Sequence, residues 1–325
     1  MKLIAQVKLL PTPHQANALR KTLEVANTAC NYISNQAWEN KTFRQFPLHK
    51  LTYRETRELF QLSAQVVVRC VSKVADAYKV DRKTKRMFKP HGAIAFDNRI
   101  LSYSLERMEI SIWTMEGRQR IRFTAGKRQM ELLSGQRGES DLCLVKSKFY
   151  LLVACDVETP KPIDIEGVLG VDLGIVNLAS DSDGKNFSGA DIDRNRRIFE
   201  HRRKNLQKKG TKSAKRKLKK LSGKQARFQK HTNHVISKCL VAKTQYTQRA
   251  IALEDLSGIR EAKVRRKQRA RHANWSFYQL RQYIEYKAER VGIPVVLVNP
   301  RNTSRTCPEC GYADKANRVS QSLFS

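Results

Sequence analysis

The sequence predicts an α+β protein of more than one domain: a small β barrel with a helical block inserted into it, followed by a separate α/β unit. Three observations predict it. Apolar residues alternate at the start of the chain and again between residues 93 and 157, with a helical period in between. A short stiff linker, Pro160-Lys161-Pro162, then leads into a second set of apolar strands and long helices. The 325 residues also exceed the ~250 at which single cores stop growing.

Leu3, Ala5, Val7 and Leu9 share one face of the first strand. Thr12 can cap the next helix with Pro13 at its first position, and Leu19, Leu23, Ala26, Cys30, Ile33 and Ala37 follow at spacings of three and four. A second helical stretch is expected over about 51–80. Alternation returns in Leu101/Tyr103/Leu105, Ile110/Ile112, Ile121/Phe123 and Leu142/Leu144, and in the run 149–157 after a turn at Lys146-Ser147-Lys148. The helical block is therefore inserted between the first strand and the rest of the barrel.

Past the linker, 168–172 reads as a buried strand and 175–180 as its hairpin partner, with Asp183-Gly184 as the next tight turn. Two long basic helices follow. A strand over 249–256 has Ile251 and Leu253 apolar, and a disordered-looking basic loop over 260–271 comes next. Ser276 and Gln279 form a capping box stapled by Trp275 and Leu280, and the helix buries Leu280, Ile284, Ala288 and Val291 up to Gly292. A short buried strand is expected over 294–298.

Charge narrows the class of partner. The 63 Lys and Arg against 30 Asp and Glu leave a formal +33, more than solubility requires, so a polyanion must neutralise much of it. No run approaches the ~20 apolar residues of a membrane span, and no basic-flanked apolar segment opens the chain. Cys30, Cys70, Cys143, Cys155 and Cys239 sit singly in apolar patterns and read as buried free thiols, which points to a reducing cytoplasm and away from a disulfide scaffold. Residues 191–230 hold 17 Lys and Arg against three acids. A single such cluster is most simply a solvated helix face, but at this density phosphates must lie against the helices to offset repulsion. The residues assigned to nucleic-acid contact are Arg196, Arg197, Arg202, Arg203, Lys208, Lys209, Lys215, Arg216, Lys219 and Lys220, with Arg265 and Arg266 in the later loop.

Two carboxylates stand at strand ends, Asp172 in Gly170-Val171-Asp172-Leu173-Gly174 and Glu254 in Ala252-Leu253-Glu254-Asp255-Leu256. Either alone is most simply a solvated or ion-paired strand-end acid. Together on two apolar strands of one α/β unit, they can converge on divalent metal, as metal-dependent phosphodiester cleavage requires. Cys307-Pro308-Glu309-Cys310-Gly311 is half of a zinc knuckle, and a lone pair of this spacing also fits a redox dithiol.

Taken in order, these segments resemble the TnpB-like, transposon-encoded RNA-guided DNA nucleases, relatives of the type V CRISPR effectors. The resemblance rests on Gly170-Val171-Asp172-Leu173-Gly174-Ile175, Ala252-Leu253-Glu254-Asp255-Leu256-Ser257, Tyr286-Lys287-Ala288, Asn302-Thr303-Ser304 running into Cys307-Pro308-Glu309-Cys310-Gly311, and Asp314-Lys315-Ala316-Asn317-Arg318. Leu10-Pro11-Thr12 with Gln15, and Asn31-Tyr32, extend it to the N-terminal helix. It implies a wedge-type β barrel (1–12 and 88–160) with an inserted helical recognition lobe (13–87). An RNase H-like RuvC nuclease domain with a basic helical insertion (161–300) and an incomplete zinc-binding module (301–325) complete the implied layout. It further implies guide RNA and target double-stranded DNA as partners in a prokaryotic cytoplasm. Asp172 and Glu254 become the first two catalytic acids on Mg²⁺ or Mn²⁺, and Cys307 and Cys310 the first zinc pair.

Family members continue past a stretch like Gln321-Ser322-Leu323-Phe324 into a second Cys-x-x-Cys and a third catalytic aspartate, whereas this sequence stops at Ser325. Asp314 falls inside the zinc loop and is no substitute. The leading expectation is an RNA-guided DNA endonuclease cut short at its C-terminal end. The alternatives are a nuclease-deficient RNA-guided DNA binder, and a basic structural RNA-binding protein whose acids are incidental.

Overall fold

The structure, a computed structural model, describes residues 1–256, 277–299, 306–307, 310–314 and 316–317. Residues Met1–Glu158 and Thr159–Ser325 form separate units.

In the first unit the chain runs β1 (Lys2–Leu9), α1 (Pro13–Glu39), α2 (Gln45–Phe60), α3 (Ala64–Val80), β2 (Ile94–Phe96), β3 (Leu101–Ser104), β4 (Glu109–Thr114) and β5 (Gly117–Thr124), then α4 (Lys127–Leu133), β6 (Gln136–Val145) and β7 (Lys148–Asp156). The seven strands pair antiparallel in the order β2-β6-β7-β1-β5-β4-β3. The two edge strands are consecutive in sequence and joined by a tight turn in which Ile100 and Leu101 donate N–H to the Asp97 carbonyl at 3.1 and 2.8 Å. The Tyr103 hydroxyl then reaches from β3 to Ser140 Oγ on β6 at 2.9 Å. The sheet is thereby bent into a nearly closed barrel.

Ala5, Val7 and Leu9 on β1 are buried as the alternation requires, and they join the α1 and α3 stripes in one core. The Thr12 cap forms with Gln15 as its reciprocal partner and Pro13 in the first turn. The single helical stretch expected over 51–80 is instead two helices. Gln61 turns left-handed at the end of α2 (φ 52°), and Ser63 caps α3 through the Val66 N–H. A break made by one left-handed residue and a serine leaves no glycine or proline to read. Helix α4 and the three-residue β2 were not anticipated, and Leu105 lies in the turn after β3. Lys146 and Ser147 take φ of 49° and 61°, the primed hairpin turn that joins β6 to β7.

In the second unit the order is β8 (Gly167–Asp172), β9 (Asn177–Asp181), β10 (Asn186–Ser188), α5 (Ala190–Lys209), α6 (Lys212–Tyr246), β11 (Arg249–Glu254), α7 (Phe277–Glu289) and β12 (Val295–Val298). The sheet is mixed, with order β10-β9-β8-β11-β12. β8, β11 and β12 run parallel, and β9 and β10 return antiparallel. Leu169, Val171, Leu178, Ile251 and Leu253 point to one face and pack there with Ile236 and Leu240 of α6 and Leu280, Ile284 and Ala288 of α7.

Two strands expected to be buried differ. Val168 is 54% exposed, so β8 buries one face only. In β12, Val296, Leu297 and Val298 are 40–52% exposed, because the strand lies at the end of the sheet. The β8 partner starts at Asn177, and β10 extends it beyond the Gly184 turn. Among the described residues no disulfide is formed, but Cys143 and Cys239 are only half-buried. Trp275, Ser276 and the loop 260–271, with Arg265 and Arg266, lie outside the described residues. Among the described residues, no helix is long and apolar enough to cross a membrane.

Candidate functional site

Strand register brings the two predicted acids together. Leu253 pairs with Val171 across the parallel β8–β11 ladder, so the next row sets Glu254 beside Asp172. Parallel neighbours stand about 4.8 Å apart, and both residues share the parity of Gly170 and Ala252. That is the face opposite the one packed by α6 and α7. They line an open cavity of about 410 Å³ with Ser180, Asp181, Ser182 and Val298, floored by Gly170 and Ala252. The Asp172 side chain is exposed and Glu254 is half-buried. Carboxylate oxygens are hard donors suited to Mg²⁺ or Mn²⁺, and two of them at one strand spacing over a floor of small residues fit such an ion.

A third carboxylate close by in the chain lies on the opposite face: Asp181 pairs with core-facing Val171, so its side chain turns toward α6. Asp181, its side chain fully buried, receives Lys243 Nζ of α6 at 2.6 Å, and the backbone N–H groups of Asp183 and Lys185 at 3.1 and 2.9 Å. Lys243 also pairs with Asp183 at 2.7 Å, and Arg249 of β11 clasps Asp183 at 2.6 and 2.9 Å. Burial opposes ionisation of Asp181, but the Lys243 hydrogen bond and the two backbone donors outweigh it and hold the carboxyl below its usual range. Hydrogen bonds from Arg249 and Lys243 hold Asp183 well below it too. The network pins the β9–β10 turn, which lies beside Gly170 and Val171 of β8, to α6 and to the start of β11, so it ties together the strands that carry the two acids. Sequence reasoning missed it, since nothing local links an acid at a turn to a lysine some sixty residues later.

This network makes the second unit sensitive to acid. Both carboxyls have folded pKa values below the unfolded ~3.9, so their contribution to stability is present above that value and is lost as pH falls through the folded one. Asp183→Asn is expected to lower the unfolding midpoint at neutral pH, with the gap to wild type closing below about pH 4. Thermal unfolding followed across that range checks it.

Around the cysteine pair, Thr306 bridges Ala313. The Cys307 N–H donates to the Tyr312 carbonyl at 2.8 Å, and the Gly311 N–H to the Cys307 carbonyl at 2.9 Å, with Gly311 at φ 73°. This is a knuckle turn that only a residue tolerant of positive φ closes easily. A structural zinc site takes four ligands, of which a Cys-x-x-Cys pair such as Cys307 and Cys310 could offer two. Among the described residues, no three His, Cys, Asp or Glu gather as a metal site.

The basic residues divide into two groups. Gly210, left-handed at φ 62°, ends α5, and Thr211 caps α6, so the two helices form a hairpin. Near the base, Arg196 is 16% exposed and pairs with Asp193 and Glu200 at 3.0 and 3.1 Å, while Arg197 pairs with Asp193 at 2.7 Å. Those two predicted contacts are largely neutralised within α5. Arg203 donates to Gln225 Oε1 at 3.0 Å, linking the two helices. Arg202, Lys208, Lys209, Lys215, Arg216, Lys219 and Lys220 are exposed on an acid-free tip, since 201–230 contain no Asp or Glu.

Comparison with known proteins bears on this arrangement. Residues 151–273 match the family model described as a probable transposase, OrfB_IS605, and 277–324 match that of the Cas12f1-like TNB domain. The CRISPR-associated endodeoxyribonuclease Cas12f1 of Sulfoacidibacillus thermotolerans is 32% identical over 223 residues, 62% of this chain and 52% of that protein. A TnpB-like protein of Methanocaldococcus jannaschii is 35% identical over 181 residues, 52% of this chain and 64% of that one. A putative RNA-guided DNA endonuclease, InsQ, of Escherichia coli is 26% identical over 54% of this chain and 48% of its own. The chain thus spans about half the length of the curated relatives it matches. A cryo-EM structure of a Cas12f1–sgRNA–target DNA complex shares the fold, with a TM-score of 0.61 at 14% identity over 92% of this chain and 76% of that one.

Proposed function

Because this chain belongs to the TnpB and Cas12f-like family, related to the type V CRISPR effectors, we propose that it is an RNA-guided DNA endonuclease cutting phosphodiesters by a metal-dependent RuvC mechanism. The single observation that carries the reading is the Asp172–Glu254 row on the face of the mixed sheet opposite α6 and α7. In it, Asp172 and Glu254 would hold a divalent metal ion, and the small residues Gly170 and Ala252 beside them would leave room for a backbone phosphate. A bound Mg²⁺ or Mn²⁺ supplies the charge that stabilises the attacking and leaving oxygens. On the other face, the Asp181–Lys243 pair anchors the β9–β10 turn and so helps keep β9 in register beside β8.

The same reading makes the first unit a wedge-type barrel with a helical recognition lobe and the second a RuvC-like domain. The antiparallel β8–β9–β10 meander with β11 and β12 added in parallel supports an RNase H-like sheet. The α5–α6 tip then lies along guide RNA or the heteroduplex it forms with target DNA, and Cys307 and Cys310 hold half of a structural zinc site. Guide-loaded protein is expected to cut a matched duplex in Mg²⁺ and to stop when EDTA removes the metal. Cleavage that survives EDTA, or that is indifferent to the guide sequence, overturns the proposal. Guide-dependent binding without cleavage at any metal concentration would favour a binder that does not cut.

A further inference from the structure

Between α3 and β2 the chain crosses α1 without helix or strand, yet it has a strict period of two. The residues that face α1 are even-numbered. Arg86 offers its carbonyl to Ser34 Oγ at 2.7 Å and its N–H to the Tyr78 hydroxyl at 3.3 Å. Phe88 exchanges two hydrogen bonds with the Asn31 amide, at 2.7 and 3.0 Å. Pro90 and Gly92 both accept from Asn27 Nδ2, at 3.2 and 2.9 Å, and Lys73 of α3 holds Asn27 Oδ1 at 2.6 Å. Asn27, Asn31 and Ser34 lie on one stripe of α1, so three polar side chains take the place of a neighbouring strand. Asn27 and Ser34 are fully buried. Buried polar side chains are costly unless bonded, and these are bonded to a single stretch of backbone.

The odd-numbered residues point the other way. Lys85, Met87 and Lys89 are exposed, with Met87 at 84%. Among the described residues no carboxylate pairs with either lysine, whereas their neighbours Arg86 and His91 pair with Asp81 and Glu24. In extended backbone, side chains two apart stand about 6.6 Å from each other on one side, on the order of the spacing of successive phosphates. One exposed apolar side chain is ordinary; what sets Met87 apart is its place between two lysines that no carboxylate among the described residues pairs, on a backbone hydrogen-bonded to α1 from its other side.

We propose that residues 85–89 are a fixed nucleic-acid strap, with Lys85 and Lys89 against phosphates of one strand and Met87 against the apolar face of a sugar or base between them. The pinning by Asn27, Asn31 and Ser34 sets its geometry in advance, so binding costs little ordering of the backbone. It rests on the reading of this chain as a nucleic-acid-binding protein but not on cleavage, and it adds a binding surface in the first unit.

The test is fluorescence-anisotropy titration of the full chain with a labelled duplex of about 30 base pairs and an RNA strand of the same length, across a range of salt. Lys85→Gln with Lys89→Gln should weaken one of the two probes about tenfold and flatten its log–log salt slope by about two, one for each phosphate no longer neutralised. Met87→Ser should weaken the same probe with the slope unchanged. Asn31→Ala, which frees the strap and keeps its charge, should weaken it with unaltered thermal stability of the second unit. If the lysine pair variant binds both probes as wild type does while removal of the α5–α6 tip charge abolishes binding, the strap is wrong and the nucleic-acid reading stands. If wild type binds neither probe, both fall.

Discussion

Asp172→Ala should reduce guide-directed DNA cleavage by about a thousandfold while leaving guide and target affinity within about twofold of wild type. The split follows from the position of the residue. Asp172 is exposed on the face of β8 away from the core, so truncating it removes no packing, and β8 keeps Leu169 and Val171 buried. What it does remove is half of the carboxylate pair, and Glu254 alone offers too few oxygens to hold a divalent ion against water. Glu254→Gln is expected to give the same loss with still less structural change, since the amide keeps its shape and lacks the charge. Cleavage rates under single turnover, with affinity measured in parallel, decide it. Cleavage unchanged in the Asp172 variant would remove the carboxylate row from the reaction.

Replacing Lys215, Arg216, Lys219 and Lys220 together by alanine should weaken binding of guide RNA on the order of a hundred- to a thousandfold near physiological salt, and flatten the salt slope by about four. Alanine is the best helix former, and the change relieves like-charge repulsion at i, i+4 between Lys215 and Lys219 and between Arg216 and Lys220, so the hairpin itself should persist. Equivalent truncation of Arg196 and Arg197 should do far less to affinity. Their charges already go to Asp193 and Glu200, and Arg196 is mostly covered. The contrast separates cations aimed at a partner from cations that hold a helix together. Anisotropy titrations of both variants over a range of salt measure it.

How far the molecule was legible depended on whether its signals were periodic. The β1 alternation, the α1 stripe with its Thr12 cap, and the α7 stripe from Leu280 to Ala288 all stand as the sequence implied, because burial on one face dictates spacing. Breaks were harder. Gln61 ends a helix in a conformation that its side chain does nothing to announce, and β2 is too short to carry a pattern. The exposure of β12 could not be foreseen from an apolar run, which reads alike at the centre and at the end of a sheet.

In the site, Asp172 and Glu254 were separately visible as strand-end acids, but their adjacency is a matter of parallel register, which no local feature of the sequence fixes. The Asp181–Lys243–Asp183–Arg249 network and the Asn27–Asn31–Ser34 ladder were invisible for a related reason. Each ties polar side chains to partners far away in sequence, and those side chains, taken one at a time, are of the types found on any solvated surface.

The place of β1 bears on how the protein is made. It is the first of the seven strands to be synthesised and the middle one in the sheet, hydrogen-bonded on one side to β7 and on the other to β5. Neither partner exists until more than a hundred further residues have been synthesised, and the last tie, from the Met1 ammonium group to the Val157 carbonyl at 2.8 Å, forms at the end of the unit. The three helices in between make mostly local contacts and can form early, whereas closing the barrel waits on long-range pairing. During synthesis an unpaired, half-apolar strand therefore waits beside a folding helical block, and the step that completes the barrel is also the step that hides it.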